Sequence, residues 1–308
     1  VKALEITNLS YAYRHQWSGK RITTLSPFSL SIEQGEAFGF LGHNGAGKTT
    51  TIKNILDLVH PASGSITIFG KPHTRRDARC HIGYVPEFPY FYENSLVREA
   101  IECSARLSGL KGSDRAAAVR GVLERLGLPA RTKQTMRTLS KGLAQRVAIA
   151  QAIVAKPDLL ILDEPFSGLD PIGRKDIREL FIECKAQGTT LFLASHILSD
   201  IEHLCDRVSI MAQGSLKGVY TLQQIGESAA PTVEMAVVCP NGCPSQLIDL
   251  AQTQHVRSGI TTLTFASEEV GHQALAVAVA QKLRITSYEV KMRSLEDLFV
   301  EVVSRDVR

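Results

Sequence analysis

Nine consecutive residues, Gly42-His43-Asn44-Gly45-Ala46-Gly47-Lys48-Thr49-Thr50, carry three glycines, a lysine and two hydroxyls in the order a phosphate-binding loop requires. The glycines let successive backbone N–H groups turn inward around phosphate oxygens, and a helix beginning at the lysine adds the partial positive charge of its N-terminus. Lys48 can reach β- and γ-phosphates, and the Thr49 hydroxyl can ligate Mg²⁺. A second cluster, Leu159-Leu160-Ile161-Leu162-Asp163-Glu164-Pro165, places two carboxylates at the end of an apolar run. Asp163 there can hold Mg²⁺, and Glu164 can take a proton from a water attacking a terminal phosphate. Together the two clusters imply binding and hydrolysis of a nucleoside triphosphate.

The elements that must position these residues are legible from pattern. The run Ala37-Phe38-Gly39-Phe40-Leu41 reads as the strand feeding the glycine loop, with a turn at Glu33-Gln34-Gly35-Glu36 before it. Residues 3–13 read as a strand, and the polar stretch 15–24 as a hairpin tip. Residues 61–86 suggest short strands. From about 94 to 156 the apolar spacing becomes helical, as at Val97, Ala100 and Ile101, then Val119, Val122, Leu123 and Leu126. The runs 159–162 and 190–194 suit strands buried on both faces. A helical block is therefore inserted into an alternating α/β core.

Beyond about Gly218 the order changes to a strand at 232–239, a helix at 247–251, strands at 255–257 and 260–266, a helix at 274–283 and a strand at 285–290. That β-α-β-β-α-β series predicts a small split βαβ, ferredoxin-like α+β domain over 219–308. A final helix at 295–303, capped by Ser294 with Glu296 and Asp297 in its first turn, closes the chain.

Composition limits the alternatives. The 308 residues are 44% hydrophobic and 21% charged, as in ordinary globular proteins, with a net charge of +4 and no basic tract, so no nucleic-acid partner is expected. No apolar run reaches the ~18 residues of a membrane span; the best candidate, 147–162, is broken by Lys156-Pro157-Asp158. The first residues lack the build of a signal peptide, and six scattered cysteines read as reduced thiols, so a cytosolic location is expected. Cys239 and Cys243 have a spacing a zinc site could use but lack a second ligand pair. Their Pro-Asn-Gly insert reads as a turn.

With these residues in view, the chain resembles the ATP-binding subunit of an ABC transporter over residues 3–218. Leu139-Ser140-Lys141-Gly142-Leu143-Ala144-Gln145-Arg146 resembles that family's signature sequence, Ser167-Gly168-Leu169-Asp170 its D-loop, and Ala194-Ser195-His196 its switch histidine. The resemblance implies a P-loop ATPase core with an antiparallel β subdomain and an inserted helical subdomain. ATP and Mg²⁺ would be held by Tyr13 against the adenine (or Tyr11 or Trp17 in its place), by 42–50, and by Asp163. Thr50 would meet the α-phosphate region, and His196 the γ-phosphate. Ser140, Gly142 and Asp170 would complete the site of a second cassette, in a homodimer or heterodimer. Two positions depart from the family pattern: Lys141-Gly142-Leu143 replaces Gly-Gly-Gln, and Glu87 stands where the Q-loop glutamine is usual, still able to meet Mg²⁺ or water. Related variants occur in bacterial drug, antibiotic and polysaccharide exporters, and Arg293-Ser294-Leu295-Glu296-Asp297-Leu298-Phe299-Val300 resembles the closing segment of exporter cassettes. The resemblance therefore implies a subunit on the cytoplasmic face of the cell membrane that drives a separate transmembrane permease. A soluble ABC ATPase acting on DNA or ribosomes and a signalling subunit without transport are the competing readings. The single cassette and short helical block weigh against the first of these.

Overall fold

The computed structural model describes residues 1–14, 21–227, 231–239, 242–292 and 294–304. In chain order, the first unit contains β1 (Lys2–Arg14), β2 (Arg21–Glu33), β3 (Ala37–Leu41), α1 (Lys48–Ile55), β4 (Ser63–Ile68), β5 (Lys71–Pro72), α2 (Arg76–Arg79) and β6 (Ile82–Val85). The helical block follows as α3 (Val97–Leu107), α4 (Gly112–Arg125) and α5 (Lys141–Ile153), with 3-10 turns at Pro129–Arg131 and Met136–Thr138. Then come β7 (Leu159–Asp163), α6 (Pro171–Ala186), β8 (Thr190–Ser195), α7 (Leu198–Leu204), β9 (Arg207–Ala212) and β10 (Ser215–Thr221). The remainder is α8 (Leu222–Glu227), β11 (Thr232–Val238), α9 (Ser245–Leu250), β12 (Thr253–Arg257), β13 (Ile260–Phe265), α10 (Glu268–Ala280), β14 (Arg284–Lys291) and α11 (Leu295–Ser304). The chain divides into two compact units, Val1–Tyr220 and Thr221–Arg308.

Two sheets build the first unit. One is antiparallel in the order β2-β1-β4-β5; the other, in the order β10-β9-β3-β8-β7-β6, is parallel through β9, β3, β8, β7 and β6. The continuous apolar runs of β3, β7 and β8 are buried throughout, as strands covered on both faces must be. Phe38, Phe40 and Phe192 pack between the two sheets with Leu4, Ile6, Ile32 and Ile66. Because β3, β8 and β7 are neighbours in register, the loops after all three open at one end of the sheet. That end is where ligands meet open α/β sheets.

The second unit has the strand order β12-β13-β11-β14, antiparallel throughout. Val233, Met235 and Val237 alternate into a core with Leu263, Phe265, Leu247 and Ala274. Ser294 caps α11: its hydroxyl accepts from the Asp297 N–H, and the Asp297 carboxylate accepts from the Ser294 N–H. Arg293, part of the closing segment singled out above, lies outside the described residues, as do Trp17 and the Pro-Asn of the Cys239–Cys243 turn.

Several boundaries differ from the sequence expectation. β2 starts at Arg21, so residues expected in the hairpin tip instead pair with β1, Thr23 opposite Ala12 and Ile22 opposite Tyr13. Their β-branched side chains suit a strand. The segment 61–86 holds a turn of helix, α2, besides strands. α10 begins at Glu268, well before 274, because Ser267 accepts the Val270 N–H and two glutamates fill the first turn.

Candidate functional site

β3 delivers the chain into the glycine loop, whose shape depends on missing side chains. Gly47 has φ +110°, the left-handed region. A Cβ on Gly42 would stand 2.6 Å from the Met211 carbonyl oxygen. The Ala46 carbonyl accepts from the Gly214 N–H at 3.0 Å, tying the loop to the β9–β10 turn. α1 begins without any side-chain cap, so its first N–H groups remain available to an anion.

Lys48 is only 6% exposed. Its ammonium donates to the Gly42 carbonyl at 2.6 Å and to that of His43 at 3.5 Å, and stands 3.4 Å from Glu164 Oε1. Thr49 Oγ1 donates to Asp163 Oδ2 at 2.9 Å, and the Thr50 carbonyl accepts from the Asn54 amide.

The two carboxylates sit at the end of β7, Asp163 1% and Glu164 7% exposed. Glu164 takes a φ of +48°, unusual for a residue with a side chain, and its N–H donates to the Ala194 carbonyl of β8. Three groups surround its carboxylate; among the described residues only Ser195 hydrogen-bonds to it, since Oε1 has no hydrogen-bond partner. Lys48 is one, the Ser195 hydroxyl donates to Oε2 at 3.3 Å, and His196 Nδ1 lies 2.8 Å from Oε1. Burial pushes the Asp163 carboxyl up to about 6, reinforced by the nearby Glu164 and Glu87 charges and opposed by the Thr49 hydrogen bond and Lys48. Asp163 Oδ1 is buried without a hydrogen-bond partner. Tyr84 on β6 is pushed up to about 12 by burial and by Asp163 and Glu87, so it stays a neutral phenol.

A cleft of ≈ 270 Å³ gathers His43, Asn44, Gly45, Gly47, Lys48, Thr49, Thr50, Glu87, Asp163 and Glu164, together with Thr24. A larger hollow of ≈ 490 Å³ beside β6 is lined by none of the candidate site residues. The residues present fit a divalent cation. Thr49 and Asp163 offer hard oxygen donors, two buried carboxylate oxygens, Asp163 Oδ1 and Glu164 Oε1, lack a hydrogen-bond partner, and three carboxylates face a single buried ammonium. Among the described residues no group of three or more His, Cys, Asp or Glu side chains could hold a metal alone. Phosphate oxygens would have to complete its shell.

The other candidates lie apart from the cleft lining. Tyr13, at the outer end of β1, is 44% exposed, whereas Tyr11 packs against the core. Ser140 caps α5, accepting the Leu143 N–H, and Asp170 caps α6, accepting the Gly173 N–H at 2.8 Å. Gly42 and Ala46 shape the loop from behind. Sequence reasoning did not assign roles to Ser195, Thr24 or Gln145, whose buried amide donates to the Pro165 carbonyl at 3.0 Å. Only the strand pairing reveals Ser195, since α6 separates β8 from β7 along the chain; for Gln145 its place in the signature stretch was the available signal.

Comparison with known proteins points to one family. The sequence profile described as ABC transporter matches residues 25–167. The chain is 35% identical over 305 residues to an uncharacterized ABC transporter ATP-binding protein of Synechocystis sp., covering 97% of this chain and 84% of that protein. It is 41% identical over 216 residues to the bacitracin transport ATP-binding protein BcrA of Bacillus licheniformis, covering 69% and 68%. Among solved structures, an ATP-binding subunit of an ABC transporter superposes with a TM-score of 0.67 at 33% identity, over 73% of this chain and 92% of that one.

Proposed function

The chain belongs to the ABC transporter family as an ATP-binding, ATP-hydrolysing subunit, and from that premise we propose how its residues divide the work. The phosphates of ATP enter the loop 42–50. Lys48 faces the β- and γ-phosphates, Thr50 the α-phosphate region, and Tyr13 stacks on the adenine. Thr49 and Asp163 would hold Mg²⁺, and Glu87 could meet the ion or a water; when bound, the ion would supply charge neutralisation of the phosphate oxygens. Glu164 accepts the proton of the attacking water as the bond from the γ-phosphorus to the bridging oxygen breaks. His196 contacts the γ-phosphate through the ring nitrogen not turned to Glu164.

The observation that carries this reading is the setting of Glu164. A buried carboxylate on a left-handed backbone accepts from a β8 serine and has the phosphate-loop lysine 3.4 Å and a histidine nitrogen 2.8 Å from its other oxygen. Such a group is preorganised for one geometry.

ABC cassettes work in pairs with transmembrane subunits. We assign Ser140, Gly142 and Asp170 to the nucleotide of a second cassette, in a homodimer or heterodimer. The helical block of about 94–156 receives a separate permease in the groove near Glu87 to Leu96, on the cytoplasmic face of the membrane. Among the described residues no helix is long and apolar enough to cross a membrane. We assign 1–218 to the ATP-binding cassette and 219–308 to an accessory domain. Its ferredoxin-like reading is supported by the β12-β13-β11-β14 order. Export of a drug- or antibiotic-like cargo is supported by the signature departures at Lys141 and Leu143, by Glu87, and by likeness to a bacitracin transport protein.

The test is to express Glu164→Gln in native cells and solubilise membranes with ATP and Mg²⁺. A multi-span membrane protein is expected to co-purify. Recovery of ribosomes, nucleic acid or only soluble proteins would overturn the transport assignment while leaving the ATPase chemistry intact.

A further inference from the structure

Lys141 stands at a position where the family resemblance leads one to expect glycine, at the first turn of α5. A cation there opposes the helix dipole, so its place asks for a compensating role. The side chain lies across its neighbours. Its ammonium donates to Ser167 Oγ at 3.0 Å and sits 5.6 Å from the centre of the Phe88 ring, within cation–π range. Its methylenes cover Gly168, where a Cβ would stand 2.7 Å from both Cγ and Cδ of the lysine. One residue further, Gly142 faces the Gly168 carbonyl, and a Cβ there would stand 2.9 Å from that oxygen.

One side chain therefore joins three segments distant in sequence. Phe88 directly follows Glu87, which lines the ATP cleft. Ser167 belongs to the turn leaving Glu164, and its N–H donates to the Glu164 carbonyl at 3.1 Å. Lys141 itself begins the helix that carries the signature residues. A glycine at this position would have neither the ammonium nor the methylenes that make these contacts.

We infer that Lys141 is a positioning residue that fastens the Glu164 turn and the Glu87–Phe88 segment to the N-terminal end of α5. It thereby holds the cleft carboxylates in register with the helical block. Exposed contacts of this kind contribute little to static stability. The effect of losing them belongs in turnover rather than in folding. The inference rests on the ATPase reading for its measurement, so loss of turnover in Lys48→Ala serves as the independent check on that reading.

The test uses the full-length protein and a double-mutant cycle. Lys141→Met keeps the methylenes and removes the ammonium; Ser167→Ala removes its acceptor; Lys141→Arg restores a charged donor. The expected result is a kcat lowered about three- to tenfold in Lys141→Met and in Ser167→Ala, with KM for ATP changed by less than about twofold. The double variant should be no slower than Lys141→Met alone, because the two changes remove one interaction. Lys141→Arg should regain at least about half of the wild-type rate, and melting temperatures should stay within roughly 2 °C. Additive losses, an unchanged kcat, or a large fall in melting temperature would overturn the inference. So would a rise in KM without a fall in kcat, which would make Lys141 a direct nucleotide contact.

Discussion

Lys48 and Glu164 are each other's counter-charge across 3.4 Å, both almost wholly buried. Removing Lys48 leaves the buried Glu164 carboxylate with only Ser195 and His196 beside it. Lys48→Ala is therefore expected to weaken ATP binding by on the order of tenfold or more, by loss of the charge facing the phosphates. It should also lower the melting temperature of the apoprotein. Equilibrium binding of a fluorescent ATP analogue, read beside a thermal melt, checks both; normal affinity would contradict the phosphate-loop assignment. Asp163 behaves in the opposite sense. Its carboxyl is raised to about 6 mainly by burial, so its ionised form destabilises the fold. The stability it contributes is complete below the unfolded value near 4 and is lost as pH rises through about 6. Asp163→Asn, which can still accept from Thr49, should match wild type near pH 4. At pH 7 it should exceed the wild-type apoprotein by on the order of 1–3 kcal/mol, while losing the extra stabilisation that Mg²⁺ adds to ATP. Thermal melts across that pH range, with and without Mg²⁺ and ATP, decide it. A variant less stable than wild type at pH 7 would refute the argument.

At the scale of elements, local signals carried most of the information. The phosphate loop was legible because its chemistry is contiguous: strand, glycines, lysine and helix follow within the span 37–55. β7 and β8 were legible because burial on both faces leaves an uninterrupted apolar run. The start of α10 was set by a cap rather than by periodicity. Ser267→Ala should accordingly cost about 1 kcal/mol in thermal or denaturant unfolding of the full chain while leaving the ATP-induced shift unchanged. An unaltered unfolding curve would mean the cap contributes nothing. The contacts made by Ser195 and Lys141 were not legible, because each depends on how distant segments pack. Ser195 reaches Glu164 only because β8 lies beside β7 in parallel register, with Ala194 opposite Asp163. Lys141 could be seen as a departure from the family pattern, yet nothing in the sequence tied it to Ser167 or Phe88. The short β5 and α2 carry too few residues for a period to show.

At the scale of the molecule, the signature residue Ser140 caps its own helix, and both it and Gly142 lie outside the cleft lining of their own chain. Two copies related by a two-fold axis, each completing the other's site, satisfy that arrangement. If the protein is a homodimer, mixing Lys48→Ala with Ser140→Arg should restore turnover that neither variant has alone. One composite site in the mixed dimer combines both defects, and the other is intact. Random pairing then predicts recovery of about a quarter of wild-type activity, since half the dimers carry one sound site. No recovery, with mixed dimers demonstrated by cross-linking, would place both functions in one chain.

The most direct measurement of the whole account is a single-turnover assay on Glu164→Gln, following γ-phosphate release beside retained ATP. The geometry predicts wild-type ATP affinity, phosphate release slowed on the order of a hundredfold or more, and ATP held in a long-lived dimer. Hydrolysis at the wild-type rate with that carboxylate removed would contradict the central claim that Glu164 activates the attacking water.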